Sequence, residues 1–357
     1  MSIIAAVHGT LGAHRFSQEE ITESFAKIVS PDGSQGAVIE RIHQATQVKF
    51  RNLALPHAAY QEIDNFEAAN NEFIRIGLEL GARAISAALA EAGLTARDVD
   101  FIMATSITGL ATPSLEARLS PILGFRSDIK RTPIFGLGCV AGAAGIARVH
   151  DYLRGDPDGV AVLLSVELCS LTLQANDLSM ANIVASGLFG DAAAAVVMVG
   201  EKRAATLGIK GPRVIASRSQ LYPETEDVMG WKIGGSGFRI VLSSSVSEVI
   251  EEHLAQGVNE FLSEYNLSSA EIAQWVCHTG GPKVLQAIEK SLNLQNGELD
   301  PSWKSLAENG NLSSAAVLHI LRDILQGRSG ERPKAGTPGL IMAMGPGFCS
   351  ELVLLEW

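Results

Sequence analysis

The chain is 357 residues long and 46% hydrophobic, with 28 basic against 39 acidic side chains and a formal charge of −11. That is enough apolar material for a large core in two or three domain-sized units, and the acidic balance argues against a nucleic-acid or anionic-membrane surface. Four widely spaced cysteines show no CxxC pair and no His/Cys ligand spacing, which disfavours both zinc and a disulfide framework.

The opening Met1-Ser2-Ile3-Ile4-Ala5-Ala6-Val7 has no basic leader and too short an apolar stretch for a signal peptide. The longest uncharged run, near 132–147, is rich in glycine and alanine and does not suit a membrane span. A soluble, cytoplasmic protein is expected. Periodicity then predicts a long amphipathic helix over about 70–92, a capped turn through Glu91–Asp100 and a buried strand Phe101–Thr105. The apolar run Thr132–Gly138 leads to Cys139, which opens a small-residue helix ending at Gly155, and the strand Gly159–Leu164 follows. A thiol in the first turn of a helix sits among unpaired N–H groups at the positive end of the dipole, and both lower its pKa.

The same order of elements recurs downstream. A helix over about 246–265 gives way to a capped turn through Glu264–Ala273 and the strand Gln274–Cys277, with His278 at its end. Asn311 opens a helix that stops at Gly327, the same sixteen-residue step as Cys139 to Gly155, and the strand Gly339–Met344 follows. This internal duplication predicts an α/β fold of two related halves, 1–203 and 204–357, around a mixed, mainly parallel sheet. A pseudo-twofold relation makes Thr105 the counterpart of His278, and Cys139 the counterpart of Asn311.

The duplication therefore brings a thiol, an imidazole and a carboxamide together at strand ends and helix starts, where α/β folds place functional groups. Cys139 is the candidate nucleophile. His278, before Thr279-Gly280-Gly281-Pro282, and Asn311, at a helix N-cap, are candidate donors to an oxyanion. Together they suggest acyl transfer through a covalent thioester. A cysteine hydrolase fits the same three residues.

Five motifs in order resemble the type III polyketide synthases, the chalcone-synthase-like branch of the thiolase superfamily. They are Gly138-Cys139-Val140-Ala141-Gly142, Gly187-Leu188-Phe189-Gly190-Asp191, His278-Thr279-Gly280-Gly281-Pro282, Gly310-Asn311-Leu312-Ser313-Ser314 and Gly345-Pro346-Gly347. The resemblance runs from about residue 70 to 357. It implies a homodimer of the five-layered αβαβα thiolase-like fold, with CoA thioesters as substrates and neither a metal nor an organic cofactor. Cys139 would take the starter acyl group from an acyl-CoA, while His278 and Asn311 would hold malonyl-CoA during decarboxylation.

By the same resemblance, Phe189 is the gatekeeper between CoA tunnel and cavity, and Phe238, Ser313 and the loop Gly345, Pro346 and Gly347 shape that cavity. Cys169, in Glu167-Leu168-Cys169-Ser170-Leu171-Thr172, matches a cavity cysteine of the microbial enzymes. Arg41, Lys49 and Arg51 fall where the family keeps cations for the CoA phosphates. The stretch from Cys169 to Phe189 looks most like synthases that extend medium- or long-chain fatty acyl starters to alkylpyrones or alkylresorcinols. The alternatives are a tetrahydroxynaphthalene-type synthase using malonyl-CoA only, and a ketoacyl synthase III-like condensing enzyme. Outside condensation chemistry, the rivals are a cysteine hydrolase and a non-catalytic scaffold.

Overall fold

Strands buried on both faces lose the usual polar–apolar alternation, and two segments here, Val160–Leu168 and Asp191–Gly200, are buried at every residue. They lie at the centre of a nine-stranded sheet in the computed structural model, which describes residues 1–357. The first half comprises β1 (Ser2–Leu11), β2 (His14–Ser17), α1 (Gln18–Val29), α2 (Gly36–Ala45), β3 (Phe50–Leu53), α3 (Phe66–Glu91) and β4 (Phe101–Thr105). It continues through α4 (Leu115–Leu123), β5 (Lys130–Ile134), α5 (Ala141–Gly155), β6 (Val160–Leu168), α6 (Met180–Leu188) and β7 (Asp191–Gly200) to α7 (Glu201–Leu207). The second half comprises β8 (Arg213–Leu221), the hairpin β9 (Met229–Gly234) and β10 (Gly237–Leu242), α8 (Val246–Ser263) and β11 (Gln274–Cys277). It ends with α9 (Pro282–Leu292), α10 (Asp300–Asn309), α11 (Ala316–Leu325), β12 (Pro338–Gly345) and β13 (Cys349–Glu356).

The strand order β11-β12-β13-β8-β1-β7-β6-β4-β5 makes the duplication explicit. In the first half β1 runs antiparallel to β7, β7 antiparallel to β6, and β6 parallel to β4. The second half repeats this with β8, β13, β12 and β11. Even the turns between long helix and strand match. Thr95 with Asp98, and Ser268 with Glu271, each form a reciprocal capping box that satisfies orphan N–H groups locally.

Period-two alternation along the strands sorts side chains into layers. Ile102, Ala104, Val162 and Leu164 pack with Phe73, Ile76 and Leu80 of α3. Phe101, Met103, Ala161 and Leu163 pack instead with α5 and α11, as do Val276, Ile341 and Ala343 from the other half. Trp275, Cys277, Leu340 and Met342 join α8 and α9. The result is helix, sheet, paired helices, sheet, helix: the five-layered thiolase-like arrangement. No helix is long and apolar enough to cross a membrane.

The expected division at 203/204 lies within α7, the segment that joins the halves. The second half has no strand in the place of β5; α9 and α10 occupy that part of the chain. Two expectations need correction. The nine-stranded sheet is mixed but not mainly parallel, because β7 and β13 run back against their neighbours and β1 and β8 join the halves antiparallel. The second is that Asn311 does not open a helix. A 3-10 turn at Ser313–Ala315 precedes α11, as one at Gly138–Val140 precedes α5, so the positional counterpart of Cys139 is Ser314.

Candidate active site

Cys139 sits where the chain turns from β5 into α5, held by a close approach of the two halves. Gly138 has φ +59°, and a Cβ there would lie 2.5 Å from Pro346 Cδ. Gly345 is equally confined: its Cβ would lie 2.7 Å from the Leu137 carbonyl oxygen. The loop after β12 is thus packed directly against the cysteine turn. The Cys139 sulfur lies 3.6 Å from Ser313 Oγ. Ser313 itself adopts φ +51°, a left-handed conformation that costs energy in a non-glycine residue and is tolerated where surroundings impose it.

Asn311 is fixed by backbone pairing across the molecule. Its N–H donates to Leu188 O at 2.8 Å and its carbonyl accepts from Gly190 N–H at 3.0 Å, a one-residue bridge with Phe189 between them. The side-chain Oδ1 accepts from Ser313 N–H at 2.8 Å, so the carboxamide NH2 is the end left without a protein partner. His278 follows β11, its N–H donating to Met342 O at 2.9 Å. The ring is buried, and Nδ1 has no partner.

Burial sets the charge state of these groups. It pushes the Cys139 thiol up to about 12, the Ser313 hydrogen bond opposing the rise. It holds the His278 imidazole down to about 4. Burial thus favours the neutral form of both at rest, the opposite direction to the lowering expected for a thiol at a helix start. No hydrogen bond joins the two.

One cavity, enclosing about 1380 Å³ of space partly open to solvent, is lined by Cys139, His278 and Asn311 together with Phe189, Cys169, Ser313 and Pro346. Gly345 and Gly347 act behind this wall, Gly347 by turning the β12–β13 hairpin at φ +110°. Phe238 does not line the cavity. It is buried against Phe66, Phe135 and Trp231, and Ile240 and Leu242 of the same strand reach the cavity instead. Arg41 and Lys49 are exposed and away from the lining, whereas Arg51 lines the cavity from within the fold and is only 2% exposed.

Two residues of the site were not singled out by sequence. Trp231 lines the cavity with its indole N–H donating to Ile107 O at 3.0 Å, and nothing local in the sequence signals it. Glu167 is wholly buried behind the site, where Oε2 accepts from Ile107 N–H (3.1 Å) and Thr108 Oγ1 (3.0 Å), and Oε1 accepts from Ser314 Oγ. Burial raises its carboxyl to about 7 against those hydrogen bonds. An acid inside the apolar run Val160–Leu168 was the available signal.

Comparison with known proteins bears on this geometry. Residues 1–202 match the family profile described as chalcone and stilbene synthases, N-terminal domain, and residues 213–356 match the corresponding C-terminal domain. The chain is 51% identical to a 1,3,6,8-tetrahydroxynaphthalene synthase of Streptomyces peucetius subsp. caesius, over 99% of this chain and 93% of that protein. It is 35% identical to a putative chalcone synthase of Bacillus subtilis, over 100% of this chain and 99% of that protein. The crystal structure of the 1,3,6,8-tetrahydroxynaphthalene synthase of Streptomyces coelicolor A3(2) superposes with a TM-score of 0.92 at 31% identity, covering 99% of each chain.

Proposed function

The chain belongs to the chalcone and stilbene synthase family of type III polyketide synthases, and from that membership we propose a malonyl-CoA-primed synthase of the tetrahydroxynaphthalene type. The observation that carries this choice is the 51% identity over nearly the whole chain to an enzyme of that name. It favours the malonyl-only alternative over the fatty-acyl starter expected from the Cys169–Phe189 stretch.

The chemistry follows from the groups facing the cavity. Cys139 Sγ attacks the starter thioester carbonyl as its proton passes to the His278 imidazole; the C–S bond to CoA then breaks, and the imidazolium returns that proton to the departing sulfur, so that CoA leaves as the thiol. A second malonyl-CoA then places its thioester oxygen against the His278 N–H and the Asn311 NH2. Loss of CO2 leaves the bond electrons on the adjacent carbon as an enolate, which these donors stabilise. The enolate carbon attacks the acyl-Cys139 carbonyl, expelling the thiolate and lengthening the chain by two carbons. Repetition and ring closure in the cavity complete the product.

A fatty-acyl starter remains the second reading because Ile21, Phe25 and Ile28 of α1 add apolar side chains to the lining of the same cavity. The exposed Arg41 and Lys49 are our candidates for the CoA phosphates. We further propose a cytoplasmic homodimer, since β5 pairs on one side only and Phe135 and Leu110 are exposed; sedimentation at micromolar concentration measures the mass.

The deciding experiment supplies purified protein with labelled malonyl-CoA, alone and with acyl-CoA starters from acetyl to long-chain, and identifies products by mass. A naphthalene-type pentaketide from malonyl-CoA alone is expected. Products retaining an alkyl starter in preference would replace this reading with the second. Free acids without CO2 release would mean hydrolysis.

A further inference from the structure

Arg51 on β3 is a guanidinium carried into the interior with almost nothing to pair it. Nη1 donates to the Phe189 carbonyl oxygen at 2.8 Å, while Nε and Nη2 are buried without any protein acceptor. Its nearest opposing charge, Asp191, is committed elsewhere: the carboxylate accepts from Ala54 N–H at 2.6 Å, from Ser170 N–H at 2.8 Å and from the Ser170 hydroxyl. Burial lowers Arg51 to about 10, so it stays cationic at neutral pH. A buried charge paired this poorly is costly, and an apolar side chain would fill the space more cheaply.

What the guanidinium does is mechanical. Its head holds the carbonyl of Phe189, and its stem lies against Gly310, where a Cβ would come within 3.0 Å of Arg51 Cδ and 3.1 Å of Cγ. Gly310 takes φ +70° and precedes Asn311, whose backbone pairs with Leu188 and Gly190 on either side of Phe189. Arg51 therefore touches both segments of the Phe189–Asn311 bridge. Cys139 is placed mainly by Gly138 against Pro346; its one link to Asn311 runs through Ser313, whose hydroxyl lies at the sulfur and whose N–H donates to Asn311 Oδ1.

We propose that Arg51 is a positioning residue for one half of the reaction only: it fixes Phe189 and, through the bridge, the Asn311 carboxamide, leaving the loading of Cys139 independent of it. This rests on the synthase reading, because the two halves in question are acylation of Cys139 and decarboxylation of malonyl-CoA. A displacement of about 1 Å in a donor can cost on the order of 10²-fold in rate, whereas general loosening of the fold lowers both halves together.

The test uses the full-length Arg51→Met and Arg51→Lys proteins. Acylation of Cys139 is followed by intact mass after mixing with starter CoA, and decarboxylation by CO2 release from malonyl-CoA. For Arg51→Met we expect decarboxylation to fall roughly 10- to 100-fold with acylation within about threefold of wild type. Arg51→Lys, which can still donate to Phe189, should recover part of that loss. If Arg51→Met does not fold, Arg51→Gln, which has the reach of methionine with a polar end and cannot extend to the Phe189 carbonyl, must show the same split. Equal losses in both half-reactions, or none in either, overturn the proposal. Wild-type protein that releases no CO2 overturns the synthase reading beneath it.

Discussion

The two halves share one plan and perform different work. Each presents a long outer helix, a capping-box turn, a strand, and a central helix entered through a 3-10 turn. In the first half β5 delivers the chain straight into the cysteine turn, and the nucleophile enters with the helix. In the second, the fifth strand is absent, and the residues between β11 and α11 form α9, α10 and the bridge that pins Asn311 to Phe189. The repeat supplies a symmetric frame, and the segment that differs between the halves carries a donor that the symmetry alone does not place.

The largest expected effects separate these roles. Cys139→Ala should abolish acyl-enzyme formation by intact mass while malonyl-CoA still loses CO2. Asn311→Ala should do the reverse, loading normally while decarboxylation falls about 10²- to 10³-fold. Loss of both activities in either variant would mean that the halves do not divide the reaction.

A smaller effect concerns how the halves touch. In α5, a Cβ on Gly142 would lie 2.2 Å from the Ser314 carbonyl oxygen of the other half, whereas one on Gly145 would meet Leu163 of its own half at 2.4 Å. Overpacking costs about 1–3 kcal/mol. Denaturant unfolding should show both alanine variants destabilised, and only Gly142→Ala should also slow catalysis, because a backbone oxygen beside Ser313 cannot swing aside as a leucine can. Matching kinetics for the two would remove that distinction.

The subtlest test is a pH dependence at the seam. Glu167 in the first half accepts from Ser314 in the second, and its carboxyl is raised from the ordinary 4.5 to about 7. The folded state thus keeps a proton that the unfolded chain releases, so this contribution is complete below pH 4.5 and is lost as pH rises through 7. Glu167→Gln cannot ionise, and its melting temperature relative to wild type should climb between pH 5 and pH 8. A constant difference across that range would show that Glu167 does not titrate there.

Local chemistry made much of this legible from sequence. The Thr95 and Ser268 turns, the apolar strands and the glycine stops all depend on neighbours in the chain. That Cys139 and His278 meet at one cavity follows from the repeat, whereas Asn311 reaches it through its bridge to Phe189. What escaped depends on distant partners. The register of Asn311 is set by a bridge to residue 189, the titration of Cys139 by burial opposed by the Ser313 hydrogen bond, and the place of Phe238 by packing on Phe66 and Phe135. Arg51 reads in the sequence as a candidate cation for the CoA phosphates, because its sequence neighbours say nothing of the Phe189 carbonyl it bonds.

The position of β1 carries a consequence for how this protein is made. β1 leaves the ribosome before the strands it pairs with and lies in the middle of the sheet, Ser2 opposite Gly200 on one side and Val214 on the other. Those partners are synthesised some two hundred residues later, so the central ladder closes only after most of the chain exists. Such non-local pairing folds slowly and leaves apolar edges open meanwhile. Low growth temperature and chaperone supply should raise the yield of native protein, and an N-terminal extension would be tethered to the strand on which both halves close.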